Sequence, residues 1–251
     1  MEILKLEGVR KYFGGVRAVD GVSFSVEEGA LLGIIGPNGS GKTTLFNVIS
    51  GVYKPDSGKI YFMGERIDGL EPHEVFKKGI VRSFQNPRLF LGMTVIENLM
   101  IPPRGQIGEN PVKALFRGLW ARQERSLAKK ALEIIRAHQL TQVRLNWSGE
   151  VSGGQMKLIE ISRALMGEPK LLLLDEPTAG VAPKLAREIF ERIVKLRDEL
   201  GLTFMIIEHR LDVLFDYVER VLVMHQGKII CDGPPDYVVK DERVVDAYLG
   251  E

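Results

Sequence analysis

Short apolar runs recur along the chain at Leu31 to Ile35, Leu171 to Leu174, Phe204 to Ile207 and Val221 to Met224. Runs of this length read as buried strands. Between them, Lys42 to Ser50, Gln155 to Met166 and Ala186 to Leu200 have helical patterning, with Ile189, Ile193 and Leu196 of the last on one face. Strands alternating with helices predict an α/β sheet. The stretch from about Gln85 to Met166 differs, since nothing in it suggests a strand. There Ser126 to Leu140 places Leu127, Leu132, Ile135 and Leu140 at amphipathic spacing, and Lys113 to Ala121 predicts a second, short amphipathic helix after a breaker-rich stretch from Pro102 to Pro111. The expected organisation is an α/β core over 1–85 and 167–251, with a helical subdomain over 86–166 inserted into it.

Bulk properties narrow the function classes. The chain has 251 residues, 45% of them hydrophobic, enough for one large domain or two smaller ones. Its 34 basic and 33 acidic side chains leave a net charge of +1, so nothing in the charge balance supports nucleic-acid binding. The single cysteine, Cys231, excludes an internal disulfide framework and a Cys-rich metal site, which fits a reducing, cytoplasmic compartment. No apolar run approaches the roughly 20 residues needed to span a bilayer. The N-terminus, with Glu2, Lys5 and Glu7, lacks the apolar segment of a signal peptide. Any membrane role is therefore expected to come through a partner.

The most informative segment is Gly36-Pro37-Asn38-Gly39-Ser40-Gly41-Lys42-Thr43, which fits G-x-x-x-x-G-K-[ST] between an apolar strand and a helix that continues with Thr44. Glycines let backbone N–H groups turn inward on phosphate oxygens, and the helix N-terminus adds its own attraction for an anion. Lys42 is expected to reach the β- and γ-phosphates of ATP, and the Thr43 hydroxyl to ligate Mg²⁺. Leu171 to Leu174 ends in Asp175-Glu176, two acids whose desolvation calls for a cation or a reacting water. Asp175 is the candidate metal ligand and Glu176 the candidate catalytic base. Ser152 opens a helix as a candidate N-cap, with the N–H groups of Gly153 and Gly154 available to an anion.

The phosphate loop, Val151-Ser152-Gly153-Gly154-Gln155 shortly before Asp175-Glu176, and His209 after a strand together resemble the ABC-type ATPases. That resemblance implies a head-to-tail dimer in which each ATP lies between one subunit's loop and the other's Ser152, Gly153, Gly154 and Gln155. It also implies that Gln85, in Ser83-Phe84-Gln85-Asn86, touches Mg²⁺ or the attacking water, and that His209 bonds the γ-phosphate and Glu176. Lys11-Tyr12-Phe13-Gly14-Gly15 matches the family's adenine-stacking loop, with Phe13 as the expected ring and Tyr12 as second choice. Two positions depart from the pattern: Val151 stands where Leu is usual, and Ala182 where an Asp that contacts the second subunit is usual.

Gly79 to Gln85, Met93 to Leu99 and Asp175 to Pro183 further resemble the ATP-binding subunits of branched-chain amino acid importers. The implied assembly has two ATPases and two permeases, fed by a solute-binding protein, with the ATPase peripheral on the cytoplasmic membrane face and its helical subdomain against the permease. Lipopolysaccharide-export ATPases share the motifs and a similar ending at Tyr248-Leu249-Gly250-Glu251; the insert around Pro102 to Gln123 favours the importer. A soluble ABC ATPase without a membrane partner would usually carry coiled coils or two fused ATPase domains, neither of which is present. A P-loop kinase or GTPase would leave Val151 to Gln155 and His209 unexplained.

Overall fold

The computed structural model describes residues 1–83 and 88–249. Gln85 lies outside the described residues. Among the described residues, ten strands run in the order β1 (Glu2–Phe13), β2 (Val16–Glu27), β3 (Leu31–Ile35), β4 (Ser57–Phe62), β5 (Glu65–Arg66), β6 (Ile80–Arg82), β7 (Leu171–Asp175), β8 (Thr203–Ile207), β9 (Arg220–His225) and β10 (Lys228–Gly233). The chain divides into two compact units, Met1–Gln85 with Lys170–Glu251, and Asn86–Pro169.

The first unit holds all ten strands in two sheets. A six-stranded sheet has the order β10-β9-β3-β8-β7-β6, parallel throughout except for β10. Every residue of β3, β7 and β8 is buried, which is why these strands read as unbroken apolar runs. Ile207 at the end of β8 aligns with Ile34 of β3 on one side and Asp175 of β7 on the other. The carboxyl ends of three adjacent strands therefore share one sheet edge, where open α/β sheets bind ligands.

The second sheet, antiparallel with the order β2-β1-β4-β5, was not anticipated. Its long strands are irregular: the pairing of β1 with β2 shifts register around Gly8, which has φ 58°, and that breaks the alternation that would mark a strand. Its inner face, including Leu4, Leu6, Val22, Phe24, Val26, Ile60 and Phe62, belongs to one core cluster with Leu32, Ile34, Leu45, Phe46 and Met205.

The second unit is helical, with α-helices Val95–Met100, Pro111–Ala114, Arg117–Ala137 and Gly153–Met166. Ala131, Ile135, Leu99, Val95 and Ile159 are buried. Fully buried Asn98 ties the approach to the last helix: its amide donates to the carbonyls of Phe90 (3.0 Å) and Thr94 (3.1 Å) and to Ser148 Oγ (2.9 Å), and its Oδ1 accepts from Phe90 N–H (2.9 Å). The short helix expected over Lys113 to Ala121 is instead split at Phe116, whose ψ of 89° ends helical geometry. The long helix expected from Ser126 already begins at Arg117. Among the described residues, no helix is long and apolar enough to cross a membrane.

Candidate functional site

The phosphate loop is shaped by backbone constraints that only glycine meets. Gly36 has φ 144° and Gly41 φ 103°; a Cβ on Gly36 would sit 2.0 Å from the Met224 carbonyl oxygen, and one on Gly41 2.0 Å from that of Ala18. Gly41 N-caps the helix Lys42–Ile49 and has no side chain to cap it. First-turn N–H groups, those of Thr43 and Thr44 among them, are therefore presented as an anion-binding end. The buried Lys42 ammonium donates to the carbonyls of Gly36 (2.7 Å) and Pro37 (2.8 Å) and to Ser40 Oγ (3.3 Å), bracing the loop from within.

Asp175 closes β7 and is 2% exposed. Its Oδ2 accepts from Arg82 Nη2 at 3.0 Å, and Arg82 also donates to Asn47 Oδ1 at 2.5 Å. Its other oxygen, Oδ1, is buried without a hydrogen-bond partner among the described residues. Burial pushes the Asp175 carboxyl above its ordinary range, opposed by the hydrogen bond and charge of Arg82. A buried carboxylate oxygen left over in this way fits a hard cation, and the Thr43 hydroxyl supplies a second oxygen donor of the same kind.

Glu176 follows in the left-handed region at φ 51°, a strain that costs a non-glycine residue about 1–3 kcal/mol. Its N–H still donates to the Ile207 carbonyl (2.9 Å), but its side chain leaves the sheet and Oε1 lies 3.1 Å from His209 Nε2. Both residues line an open cleft of about 970 Å³ with Asn38, Gly39, Ser40, Gly41, Lys42, Thr43 and Thr44. Glu208 organises this pair, a role the sequence reading missed. Its buried carboxylate accepts from Thr178 N–H (2.8 Å) and Thr178 Oγ1 (2.6 Å) with one oxygen, and from His209 N–H (3.1 Å) with the other. Glu208→Ala strands these donors and is expected to lower stability by about 1–3 kcal/mol, read from the urea midpoint. An unchanged midpoint would refute the clip.

Two residues before Gly15, which lines the cleft, Phe13 is 43% exposed and lies edge-on to Tyr53 at 5.2 Å. The Tyr12 hydroxyl is committed to Asp20 Oδ1 at 2.7 Å. The Lys11 ammonium lies over the Phe13 ring at 5.5 Å from its centroid, and Phe13 is the more exposed ring of the two, with a cation beside it. In the second unit, Ser152 caps the helix Gly153–Met166 reciprocally: Ser152 Oγ accepts from Gln155 N–H (3.3 Å) and Gln155 Oε1 from Ser152 N–H (2.9 Å). Ala182 caps the helix Pro183–Leu200 with no side-chain bond, where an Asp would have supplied one.

A phosphate loop, a strand-end acid pair and a strand-end imidazole on one sheet edge also mark a family. A model described as ABC transporter matches residues 19–179. The chain belongs to the ABC transporter family. It is accordingly an ABC-type ATPase. A second model, described as branched-chain amino acid ATP-binding cassette transporter, matches residues 228–251, favouring the importer over the export ATPase. The chain is 48% identical to a probable branched-chain amino acid transport ATP-binding protein LivG of Methanocaldococcus jannaschii, over 100% of this chain and 98% of that protein. It is 39% identical to the high-affinity branched-chain amino acid transport ATP-binding protein BraF of Pseudomonas aeruginosa, over 99% and 98%. Among solved structures, a nucleotide-free ATP-binding cassette from an ABC transporter superposes with TM-score 0.86 at 46% identity over 100% of both chains. A dimeric cassette in a post-hydrolysis state with ADP and Pi superposes with TM-score 0.78 at 28% identity, over 93% of this chain and 99% of that one.

Proposed function

We propose that this chain is the ATP-hydrolysing subunit of a branched-chain amino acid importer, docked on permease subunits at the cytoplasmic membrane face and served by a solute-binding protein. The observation that carries the chemistry is the Glu176–His209 pair, 3.1 Å apart, on the same cleft as Lys42 and Thr43. Loop N–H groups and the Lys42 ammonium hold the phosphates of ATP. Thr43 and Asp175 Oδ1 would hold Mg²⁺, whose charge would offset that building on the β- and γ-phosphates. Glu176 takes the proton of the attacking water, and His209 orients the Glu176 carboxylate and bonds the γ-phosphate. Gln85 adds an amide to the metal or the water. The capped helix at Ser152, with Gly153, Gly154 and Gln155, offers its amide end to the ATP of a second ATPase subunit, so two ATP molecules close the dimer.

Phe13 stacks on adenine in this reading. Phe13→Ala is expected to weaken ATP binding roughly 2- to 12-fold, the scale of an aromatic stacking contact, whereas Tyr12→Ala should disturb Asp20 rather than adenine. Titration with a fluorescent ATP analogue checks both, and equal losses would count against Phe13. The transport reading is tested by purifying the tagged chain from its native membranes and identifying the permeases that come with it. Branched-chain amino acid permeases are expected; recovery of export permeases alone would overturn it.

A further inference from the structure

Pro111 to Leu119 is a run of nine residues all exposed to solvent, yet four of them are large and apolar. Val112 is 67% exposed, Leu115 81%, Phe116 59% and Leu119 52%. Isolated exposed apolar side chains are ordinary, but four within one short, broken helical segment form a patch that water disfavours. Their spacing is that of one helix face, the helix is interrupted at Phe116, and none of the four is covered.

The same segment is cationic. Between Pro111 and Arg125 stand Lys113, Arg117, Arg122 and Arg125 against the single acid Glu124, in a chain whose net charge is only +1. The side chains of Lys113, Arg117 and Arg122 are exposed and form no ion pair among the described residues. Trp120 folds back on the break, its indole N–H donating to the Ala114 carbonyl at 3.0 Å. We infer that Pro111 to Arg125 is a membrane-surface anchor: Val112, Leu115, Phe116 and Leu119 enter the headgroup boundary of a bilayer while Lys113, Arg117 and Arg122 bond anionic lipid phosphates. A groove on another protein would accept the apolar side chains but gives no reason for three unpaired cations among them. An anionic bilayer surface accepts both. The anchor is separate from the nucleotide site and does not depend on the solute transported.

The full chain is mixed with vesicles of phosphatidylcholine, with and without phosphatidylglycerol, and sedimented. Binding is expected only to the anionic vesicles, with release as salt screens the cations. The combined Lys113→Ala, Arg117→Ala and Arg122→Ala variant should bind about a hundredfold more weakly, from roughly fivefold for each cation. Leu115→Ser with Phe116→Ser should abolish binding, with ATP turnover unchanged in both variants as the check on folding. Equal sedimentation with both vesicle types, or none with either, overturns the anchor. In the assembled transporter, a photo-crosslinker at position 116 should label lipid; adducts to a permease or to a second copy of the chain would overturn it in favour of a protein interface.

Discussion

Glu176→Gln is expected to bind ATP, to hydrolyse it at least about 10²-fold more slowly than the parent chain, and to accumulate as an ATP-held dimer. Glutamine keeps the size of the side chain and can still meet His209 Nε2, which lies 3.1 Å from Glu176 Oε1, but it cannot accept a proton from water. Binding and closure should therefore survive while the chemical step fails. The left-handed backbone at Glu176 aims the carboxylate off the sheet edge toward the cleft, and the substitution leaves that backbone in place. Phosphate release measured at saturating ATP, with size-exclusion chromatography of the same sample, reads both effects. Turnover near the parental rate would remove Glu176 from the base role.

Lys42→Ala should weaken nucleotide binding by about 10- to 100-fold, the scale of hydrogen bonds to a charged group, and suppress hydrolysis with it. Lys42 is 6% exposed and donates to Gly36, Pro37 and Ser40, so its removal also takes away a brace of the loop. Calorimetric titration with ATP gives the affinity, and urea unfolding of the same variant shows whether the loop alone or the whole fold has changed. An unchanged affinity would contradict the phosphate role; a collapsed unfolding midpoint would assign the loss to folding.

The parts of the site legible in the sequence are those whose meaning lies in local spacing. Gly36 to Thr43 announces itself because a tight loop, a lysine and a helix start are contiguous, and Asp175-Glu176 because two acids end an apolar run. Arg82 and Glu208 were invisible for the opposite reason. Arg82 meets Asp175 across the β6–β7 pairing, and Glu208 meets Thr178 across the β7–β8 connection, so each acquires its role only from strand order. The antiparallel sheet was missed where Gly8 breaks the alternation of β1, although Val22, Phe24 and Val26 of β2 do alternate with polar neighbours. Around Leu115 and Leu119 the spacing predicts a single short amphipathic helix, which the break at Phe116 splits, and periodicity says only that one side is apolar. It does not say that this chain supplies the cover.

The Glu208 clip bears on how the two turns respond to change. One carboxylate holds Thr178, two residues past Glu176, and the backbone of His209, so the turns carrying base and imidazole are mechanically a single piece. Damage to either will reach the other through that shared oxygen pair. Double-mutant cycles between Thr178 and Glu208 should accordingly show energies that do not add, because either substitution alone already opens the clip.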